Sequence, residues 1–286
     1  MNLNLDNITF IIVCFKSDKV IYKCMDSLPK VSKKIIIENS NDINLMKDLE
    51  SKYDNIEVIM NENLGMGASN NIGIKKAKTQ YAYVLNPDVV FKIDAFENLI
   101  EATKNLKDFT IISPMHSNLN YPNYKNFINE KVIYENIIDV DSIDGFSMIL
   151  NKPKFKDNKF FDENIFLYLE NDDLCLRVKQ MNENIYIVKN SLIEHLGASS
   201  LDNNQKNEIE YLRNWHWMWS KFYFNKKHYG YLNAFIKVFS NLISAKIKFI
   251  YYLITINSHK RKIYQMRISG LLNSMMGKKS YYRLKN

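Results

Sequence analysis

Short apolar runs alternate with amphipathic stretches over the first hundred residues. The apolar runs are rich in β-branched side chains and lie at 8–15, 33–39, 56–61 and 81–86. Helix-like stretches separate them, at roughly 18–28, 42–53, 67–78 and 94–106. Continuously apolar short strands are typical of a parallel sheet covered on both faces. The alternation predicts an α/β fold, with a mostly parallel, Rossmann-like sheet, helices on both faces and ligands at the carboxyl ends of the strands.

The middle of the chain has a weaker pattern. Residues 114–140 are polar and aromatic, which indicates an irregular excursion over the surface. Strands are predicted at 142–151 and 184–190. Between them, the apolar residues after the run "FDENIFLYLENDD" have the spacing of a helix, at Leu174, Cys175, Val178 and Met181.

From about residue 205 the composition changes to Trp and Tyr interleaved with basic residues. An apolar stretch at 232–257 is long enough to span a bilayer, but Lys237, Lys246 and Lys248 interrupt it. These charges favour a helix in the membrane interface, or helices packed on the preceding domain. The sequence therefore predicts an α/β domain at 1–204 and a basic, aromatic, helical region at 205–286.

Charge divides the chain in the same place. The 286 residues carry a net charge of +8, yet residues 201–286 hold 16 basic and 3 acidic residues, leaving 23 basic and 28 acidic before them. The basic region predicts an anionic partner, and without a nucleic-acid-binding motif we expect a membrane surface and no nucleic acid. The three cysteines form no CxxC pair, and Asp6 but no basic residue precedes the first apolar run. Both features favour a reducing compartment and no secretory signal.

Polar groups follow each of the first four predicted strands. Phe15 could stack on a base, Glu38 could accept hydrogen bonds from a base or ribose, and the glycines of "NENLGMGASNNIG" could expose amides to an anion. Asn86 and Asp88 follow the fourth strand. Each feature alone has a simpler explanation. Asn86 and Asp88 could belong to an ordinary turn, and the glycines could only precede a helix capped by Ser69 or Asn70. Together they favour a nucleotide site, although not a dinucleotide site, because "GMGASN" lacks the third glycine and follows the third strand.

The stretch "YLENDDLCLR" concentrates three acids. Asn171 could cap a helix with Asp172 and Asp173 in its first turn. Glu170 would precede that cap, partly desolvated, which suits a base with a raised pKa. His195 lies after a strand and is either structural or, with Asp88, a ligand of Mg²⁺ or Mn²⁺.

The ordered motifs resemble the family 2 glycosyltransferases, in particular the rhamnosyltransferase-like branch. The resemblance covers residues 8 to about 200 and is carried by "IIVCFKS", "IIIENS", "NENLGMGASNNIGIKKA", "LNPDV", "DGFSMILNKPKF", "FDENIFLYLENDDLCLR" and "IEHLGASS". It implies a GT-A fold and inverting transfer from a nucleotide-diphospho-sugar, with rhamnose as a candidate sugar. The implied site comprises Phe15, Glu38 and Asn70 at the nucleotide, Asn86 and Asp88 at the DxD-type metal motif, Asp144 and Gly145 between donor and acceptor, Glu170 at the base motif and His195 at the metal or diphosphate.

Two departures affect this assignment. Asn171 stands where the family pattern Glu-Asp-x-Asp-Leu has the acid most often assigned as the base, so Glu170 or Asp172 takes that role, and Glu170 is preferred. Asn86 replaces the first acid of the metal motif, which leaves fewer carboxylate ligands for the expected Mg²⁺ or Mn²⁺.

The resemblance also implies partners and a location. The acceptor is expected to be a glycan or a polyprenyl-linked glycan of bacterial surface polysaccharide synthesis. The enzyme would then work in the cytoplasm, peripherally on the inner face of the cell membrane. The alternative is a catalytically silent relative that binds nucleotide-sugar and serves as an assembly partner at the membrane.

Overall fold

The computed structural model describes residues 3–126, 131–197 and 206–284. Contacts divide the chain into two units, one of residues 1–162 and 171–200 and another of residues 163–170 and 201–286. The strands are β1 (Ile8–Cys14), β2 (Lys33–Glu38), β3 (Ile56–Met60), β4 (Tyr81–Leu85), β5 (Val89–Phe91), β6 (Ile111–His116), β7 (Tyr124–Lys125), β8 (Lys131–Tyr134), β9 (Ile137–Asp139), β10 (Ser142–Ile143), β11 (Ser147–Asn151) and β12 (Ile185–His195). The helices are α1 (Ile21–Ser27), α2 (Ile43–Lys52), α3 (Met66–Lys76), α4 (Ala95–Lys104), α5 (Glu170–Gln180), α6 (Lys206–Tyr229), α7 (Tyr231–Ile254) and α8 (Ser258–Met275).

The four strands expected at the start of the chain are confirmed to within one residue at either end. They pair in parallel in the order β3-β2-β1-β4, and the sheet continues through β11, β6, β12, β9 and β8. Strand β11 is antiparallel to both of its neighbours, while β6 and β12 are parallel to each other. β1 is buried along its whole length, as its continuously apolar sequence requires.

The expectation of an irregular excursion over 114–140 is wrong. This segment contains the end of β6 and the strands β7, β8 and β9, and β9 pairs with β12. The predicted strand at 142–151 is interrupted, because β10 pairs with β7 while β11 joins the main sheet. Residues 144–146 form the connection between them. β12 is longer than predicted and ends at His195, with an irregularity between Val188 and Leu192.

The two predicted helix starts with polar caps are also corrected. Helix α3 begins at Met66 after Gly65, whose φ of 96° lies in the left-handed region that favours glycine. Ser69 and Asn70 therefore lie inside the helix. Helix α5 begins at Glu170, so Asn171 is not its cap.

The second unit has its own core. Helices α6, α7 and α8 pack on one another through the buried side chains Met218, Phe222, Ala234, Val238, Leu242 and Leu271. α8 approaches α6 closely at Gly270, where a Cβ atom would clash with the carbonyl oxygen of Trp215. The segment 163–170 belongs to this unit, since Phe166 stacks on His216 and the Leu167 carbonyl accepts a 2.8 Å bond from Ser220. Within the described ranges, no helix has the length and apolarity needed to cross a bilayer.

Candidate active site

The loops after β1 and β2 are tied to each other at the carboxyl edge of the sheet. The Ser40 hydroxyl accepts a 3.2 Å bond from the Lys16 amide, and the Glu38 carboxylate accepts bonds from the Ser40 amide (3.0 Å) and the Asp42 amide (2.9 Å). Glu38 is fully buried. It therefore shapes the turn after β2, and its contact with a base or ribose stays a prediction. Phe15, at the end of β1, is half-buried beside this turn, where the side chain of Lys16 lies over its ring.

Helix α3 contributes a buried polar face at the same edge. The Asn39 side chain donates a 2.8 Å bond to Ser69 and accepts a 3.2 Å bond from Asn61, so it links the ends of β2 and β3 to α3. Asn70 is 3% exposed, and its Oδ1 has no hydrogen-bond partner among the described residues. A buried acceptor without a partner requires an explanation. The amide oxygen is suited to a ligand that supplies an N–H or O–H donor.

Asp88 and His195 lie together although 106 residues separate them in the chain. β12 runs antiparallel to β5, which places His195 opposite Val89, and the Leu196 amide donates a 3.0 Å bond to the Asp88 carbonyl. The Nε2 atom of His195 lies 3.2 Å from Oδ1 of Asp88. The pair is thus fixed by the backbone pairing of two strands.

Phe146, the residue directly before β11, completes this cluster. The ring of Phe146 stacks on His195 with ring centroids 4.3 Å apart and planes inclined by 11°. The Phe146 carbonyl accepts a 2.9 Å bond from the Asn86 amide, which ties the loop after β4 to β11. Carboxylate oxygen and imidazole nitrogen are both acceptable ligands for Mn²⁺, so Asp88 and His195 fit part of a metal site. In the portion of the chain that the structure describes, no group of three or more His, Cys, Asp or Glu residues could complete it.

Asp144 and Gly145 lie in the loop between β10 and β11. The Asn171 side chain donates a 2.9 Å bond to the Ile143 carbonyl, and a Cβ atom on Gly145 would lie 3.2 Å from Cβ of Asn171. Burial raises the pKa of Asp144, an effect that the charge of Lys125 opposes. The loop therefore packs directly against the position where the family pattern has its base.

The acids of helix α5 have separate partners. Asp172 accepts a 2.8 Å bond from Lys125 and a 3.1 Å bond from Ser142. Asp173 is fully buried and accepts a 2.9 Å bond from Arg177. The expected position of Asp172 and Asp173 in the first turn is confirmed, but the cap at Asn171 is wrong, because α5 begins at Glu170 and Asn171 lies inside it. Asp173 therefore has a structural role, and Asp172 is paired with Lys125.

Glu170 begins helix α5 and is half-buried. The two residues before it have left-handed backbones, with φ of 69° at Tyr168 and 68° at Leu169. Such conformations cost about 1–3 kcal/mol each for bulky residues, and they occur where the surrounding structure imposes them, often at functional sites. Burial raises the pKa of Tyr168, and the charge of Glu170 raises it further against the opposing charge of Arg213. Glu170 thus directly follows a strained segment, and both belong to the second unit.

Sequence reasoning missed three residues of the site. Lys125 and Ser142 hold Asp172, and Phe146 stacks on His195. Lys125 lies in a segment that the sequence predicts to be irregular, and nothing in its local pattern pairs it with an acid 47 residues later. Only Phe146 had a signal in the sequence, because the motif "DGFSM" places it directly after Gly145.

Comparison with known proteins gives consistent results. Residues 9–168 match the family model described as Glycosyl transferase family 2. The chain is 27% identical over 184 residues to rhamnosyltransferase WbbL of Escherichia coli, covering 54% of this chain and 69% of that protein. It is 24% identical over 200 residues to the low-salt glycan biosynthesis hexosyltransferase Agl10 of Haloferax volcanii, covering 63% and 64%. The chain thus spans about two thirds of the length of these relatives.

A solved structure supports the fold. The mannosyltransferase PcManGT from Pyrobaculum calidifontis, in complex with GDP-Man and Mn²⁺, covers 96% of this chain and 88% of its own, with a TM-score of 0.55 and 10% sequence identity. At this identity the likeness shows the fold alone. The expected GT-A architecture is confirmed, with the mostly parallel sheet and the C-terminal helices both present.

Proposed function

The chain belongs to glycosyl transferase family 2, and from this premise we propose that it transfers a sugar, with rhamnose as the candidate, from a nucleotide-diphospho-sugar with inversion at the anomeric carbon. The observation that carries the proposal is the Asp88–His195 pair, which adjoins the Asp144–Gly145 loop at the carboxyl edge of the sheet. This edge is where open α/β sheets bind ligands. The buried oxygen of Asn70, which has no hydrogen-bond partner among the described residues, supports a nucleotide at the other end of the same edge.

The donor would extend along this edge. Phe15, Glu38 and Asn70 would lie at the base and ribose, and Asn86 and Asp88 at the diphosphate. Asp88 and His195 would hold Mg²⁺ or Mn²⁺, with donor phosphate oxygens as further ligands. When bound, the metal neutralises negative charge on the leaving diphosphate.

We assign the general base to Glu170. Its carboxylate would take the proton from the acceptor hydroxyl while that oxygen bonds to the anomeric carbon and the bond to the diphosphate breaks. Asp172 is the second candidate, but its Oδ1 atom already accepts hydrogen bonds from Lys125 and Ser142. An inverting displacement needs one base and no covalent nucleophile, so one competent carboxylate suffices.

The acceptor is proposed to be a glycan or a polyprenyl-linked glycan of surface polysaccharide synthesis. The names of two relatives, a rhamnosyltransferase and a glycan-biosynthesis hexosyltransferase, support a saccharide acceptor. The basic C-terminal region supports a position on the inner face of the cell membrane, where lipid-linked acceptors would be reached from the cytoplasm. The silent alternative predicts nucleotide-sugar binding without turnover.

Donor hydrolysis and transfer across UDP-, dTDP- and GDP-sugars, with and without Mn²⁺, test the proposal. Asp88→Asn should abolish metal-stimulated turnover, whereas Asp157→Asn, at a carboxylate that is 74% exposed, should leave it unchanged. Equal turnover by the wild type and by Asp88→Asn would contradict the proposed role of Asp88. Donor binding by the native protein without hydrolysis or transfer of any sugar would favour the silent alternative.

A second pair of variants tests the base. Glu170→Gln should lower kcat by roughly 10²–10⁴-fold with little change in KM, because a general base acts in the transition state. Asp172→Asn distinguishes the second candidate, and Glu163→Gln, at an exposed residue in the same segment, is the control. If neither Glu170→Gln nor Asp172→Asn slows transfer, the base lies elsewhere.

A further inference from the structure

Helix α7 has one buried face and one exposed apolar face. Ala234, Val238 and Leu242 belong to the core that it shares with α6 and α8. On the other side, seven large apolar side chains are 40–74% exposed, and we call them the apolar stripe: Leu232, Ile236, Phe239, Ile243, Ile247, Ile250 and Ile254. With 3.6 residues per turn, all seven lie within about 40° of one line along the helix. The stripe is therefore continuous over the length of α7, about 36 Å at 1.5 Å per residue.

The surroundings of the apolar stripe are basic and aromatic. Lys237, Lys246 and Lys248 flank it and are exposed, as are Tyr231 and Tyr251 near its ends. Residues 211–286 include 15 basic residues and no acidic one. If a second copy of the chain packed on this face, its lysines would lie near those of the first copy and repel them. An anionic lipid surface instead matches the charge, and it offers hydrocarbon to the stripe and an interface to the tyrosines.

We propose that the apolar stripe of α7 docks on an anionic phospholipid bilayer, with the helix axis parallel to the membrane plane. The parallel orientation follows from the lysines, which occur along the helix and would be buried in hydrocarbon if α7 crossed the bilayer. The inference deepens the membrane location in the proposed function, since it names the surface that makes the contact. It does not depend on the sugar, the donor or the base.

Vesicle co-sedimentation of the full chain, without donor or acceptor, tests this surface. Vesicles that contain roughly one third phosphatidylglycerol should bind at least about tenfold more tightly than pure phosphatidylcholine, because the flanking lysines contribute only at an anionic surface. Ile243→Ser/Ile247→Ser should weaken binding to the anionic vesicles by about tenfold or more. Ile93→Ser, at an isoleucine that is 92% exposed in the other unit, should bind as the wild type does.

A fluorescent label gives an independent measure of depth. The native cysteines are all buried, so an Ile247→Cys variant can be labelled selectively with an environment-sensitive dye. Its emission should shift to the blue on addition of anionic vesicles, whereas a dye at Ile93→Cys should not respond. Since these measurements need no turnover, a failure of the proposed transfer activity would leave them unaffected.

Three results would overturn the proposal. The first is no binding of the wild type to either vesicle, and the second is equal vesicle affinity of wild type and Ile243→Ser/Ile247→Ser. The third is a dimer of the wild type, by light scattering, that the same double variant converts to a monomer. That result would assign the apolar stripe to self-association instead.

Discussion

The imidazole of His216 makes the stability of the C-terminal helices dependent on pH. His216 is fully buried in helix α6. Its Nδ1 lies 3.0 Å from the Ser280 hydroxyl and its Nε2 lies 2.8 Å from the Tyr282 carbonyl. The neutral ring satisfies both bonds, with Nε2–H donating to the carbonyl and Nδ1 accepting from the hydroxyl. Protonation of Nδ1 would remove that acceptor and create a buried charge.

Burial lowers the pKa of His216 from 6.5 to about 4, against the bond to Tyr282, which raises it. The unfolded chain therefore binds this proton more tightly than the folded chain. The histidine causes no loss of stability above about pH 6.5, and the free energy of unfolding falls as the pH drops from 6.5 towards 4. At 1.36 kcal/mol per pKa unit, the loss is roughly 1.4 kcal/mol at pH 5.5 and roughly 2.5 kcal/mol at pH 4.5.

Tryptophan fluorescence is a selective assay for this effect, because the three tryptophans of the chain are Trp215, Trp217 and Trp219, all in α6. Urea unfolding should be followed at pH 7, 5.5 and 4.5 for the wild type and for His216→Gln. Carboxylates also titrate in this range, so the informative quantity is the difference between the two proteins. That difference should change by roughly 2.5 kcal/mol between pH 7 and 4.5.

A control and a direct measurement complete the test. His228→Gln, in the same helix but outside the core, should retain the wild-type dependence on pH. NMR titration of the imidazole protons in the wild type gives the pKa of His216 even if the Gln variant does not fold. A pKa near 6.5, or a difference between wild type and His216→Gln that stays constant with pH, would refute the reasoning.

Three further predictions concern packing, a buried ion pair and the metal. Gly270→Ala should lower the free energy of unfolding by about 1–2 kcal/mol, because the clash with the Trp215 carbonyl outweighs a helix-propensity gain of about 1 kcal/mol. An unchanged urea midpoint, measured by tryptophan fluorescence, would contradict this prediction. Asp173→Asn should cost about 1–3 kcal/mol in thermal unfolding followed by circular dichroism, because Arg177 loses a charged partner, whereas Asp157→Asn should change little. EDTA should abolish sugar transfer and added Mn²⁺ should restore it, and full activity after chelation would exclude a metal requirement.

Much of the fold was accessible from the sequence because its first half has strong local signals. β1 to β4 are continuously apolar and separated by helices, and each was predicted to within one residue. The strands β7, β8 and β9 were missed because they are two to four residues long and are stabilised by distant partners, such as β12 for β9. A segment of this length is too short to show the periodicity of a strand, so only its pairing with another strand identifies it.

In the candidate site, too, some features could be predicted from the sequence and others could not. Asp88 and His195 were expected to act as a pair on grounds of chemistry, and the β5–β12 register brings them to 3.2 Å. The role of Asp172 could not be predicted, since its partner Lys125 lies on β7 in a segment without a recognisable pattern. Asn171 was expected to cap α5, but it lies inside the helix, and its side-chain amide donates to Ile143 on β10, a contact that the local sequence does not indicate.

The sequence by itself determined the parallel half of the sheet, the order of the site motifs, the family and the basic character of the C-terminal region. These depend on residue type and on periodicity within a few residues, which are local properties. The tertiary structure decided which acids of α5 are held in ion pairs and that α7 exposes a continuous apolar stripe. It also decided that the buried oxygen of Asn70 has no partner within the part of the chain that the structure describes. Each of these depends on burial and on contacts between segments far apart in the chain, which only the folded chain establishes.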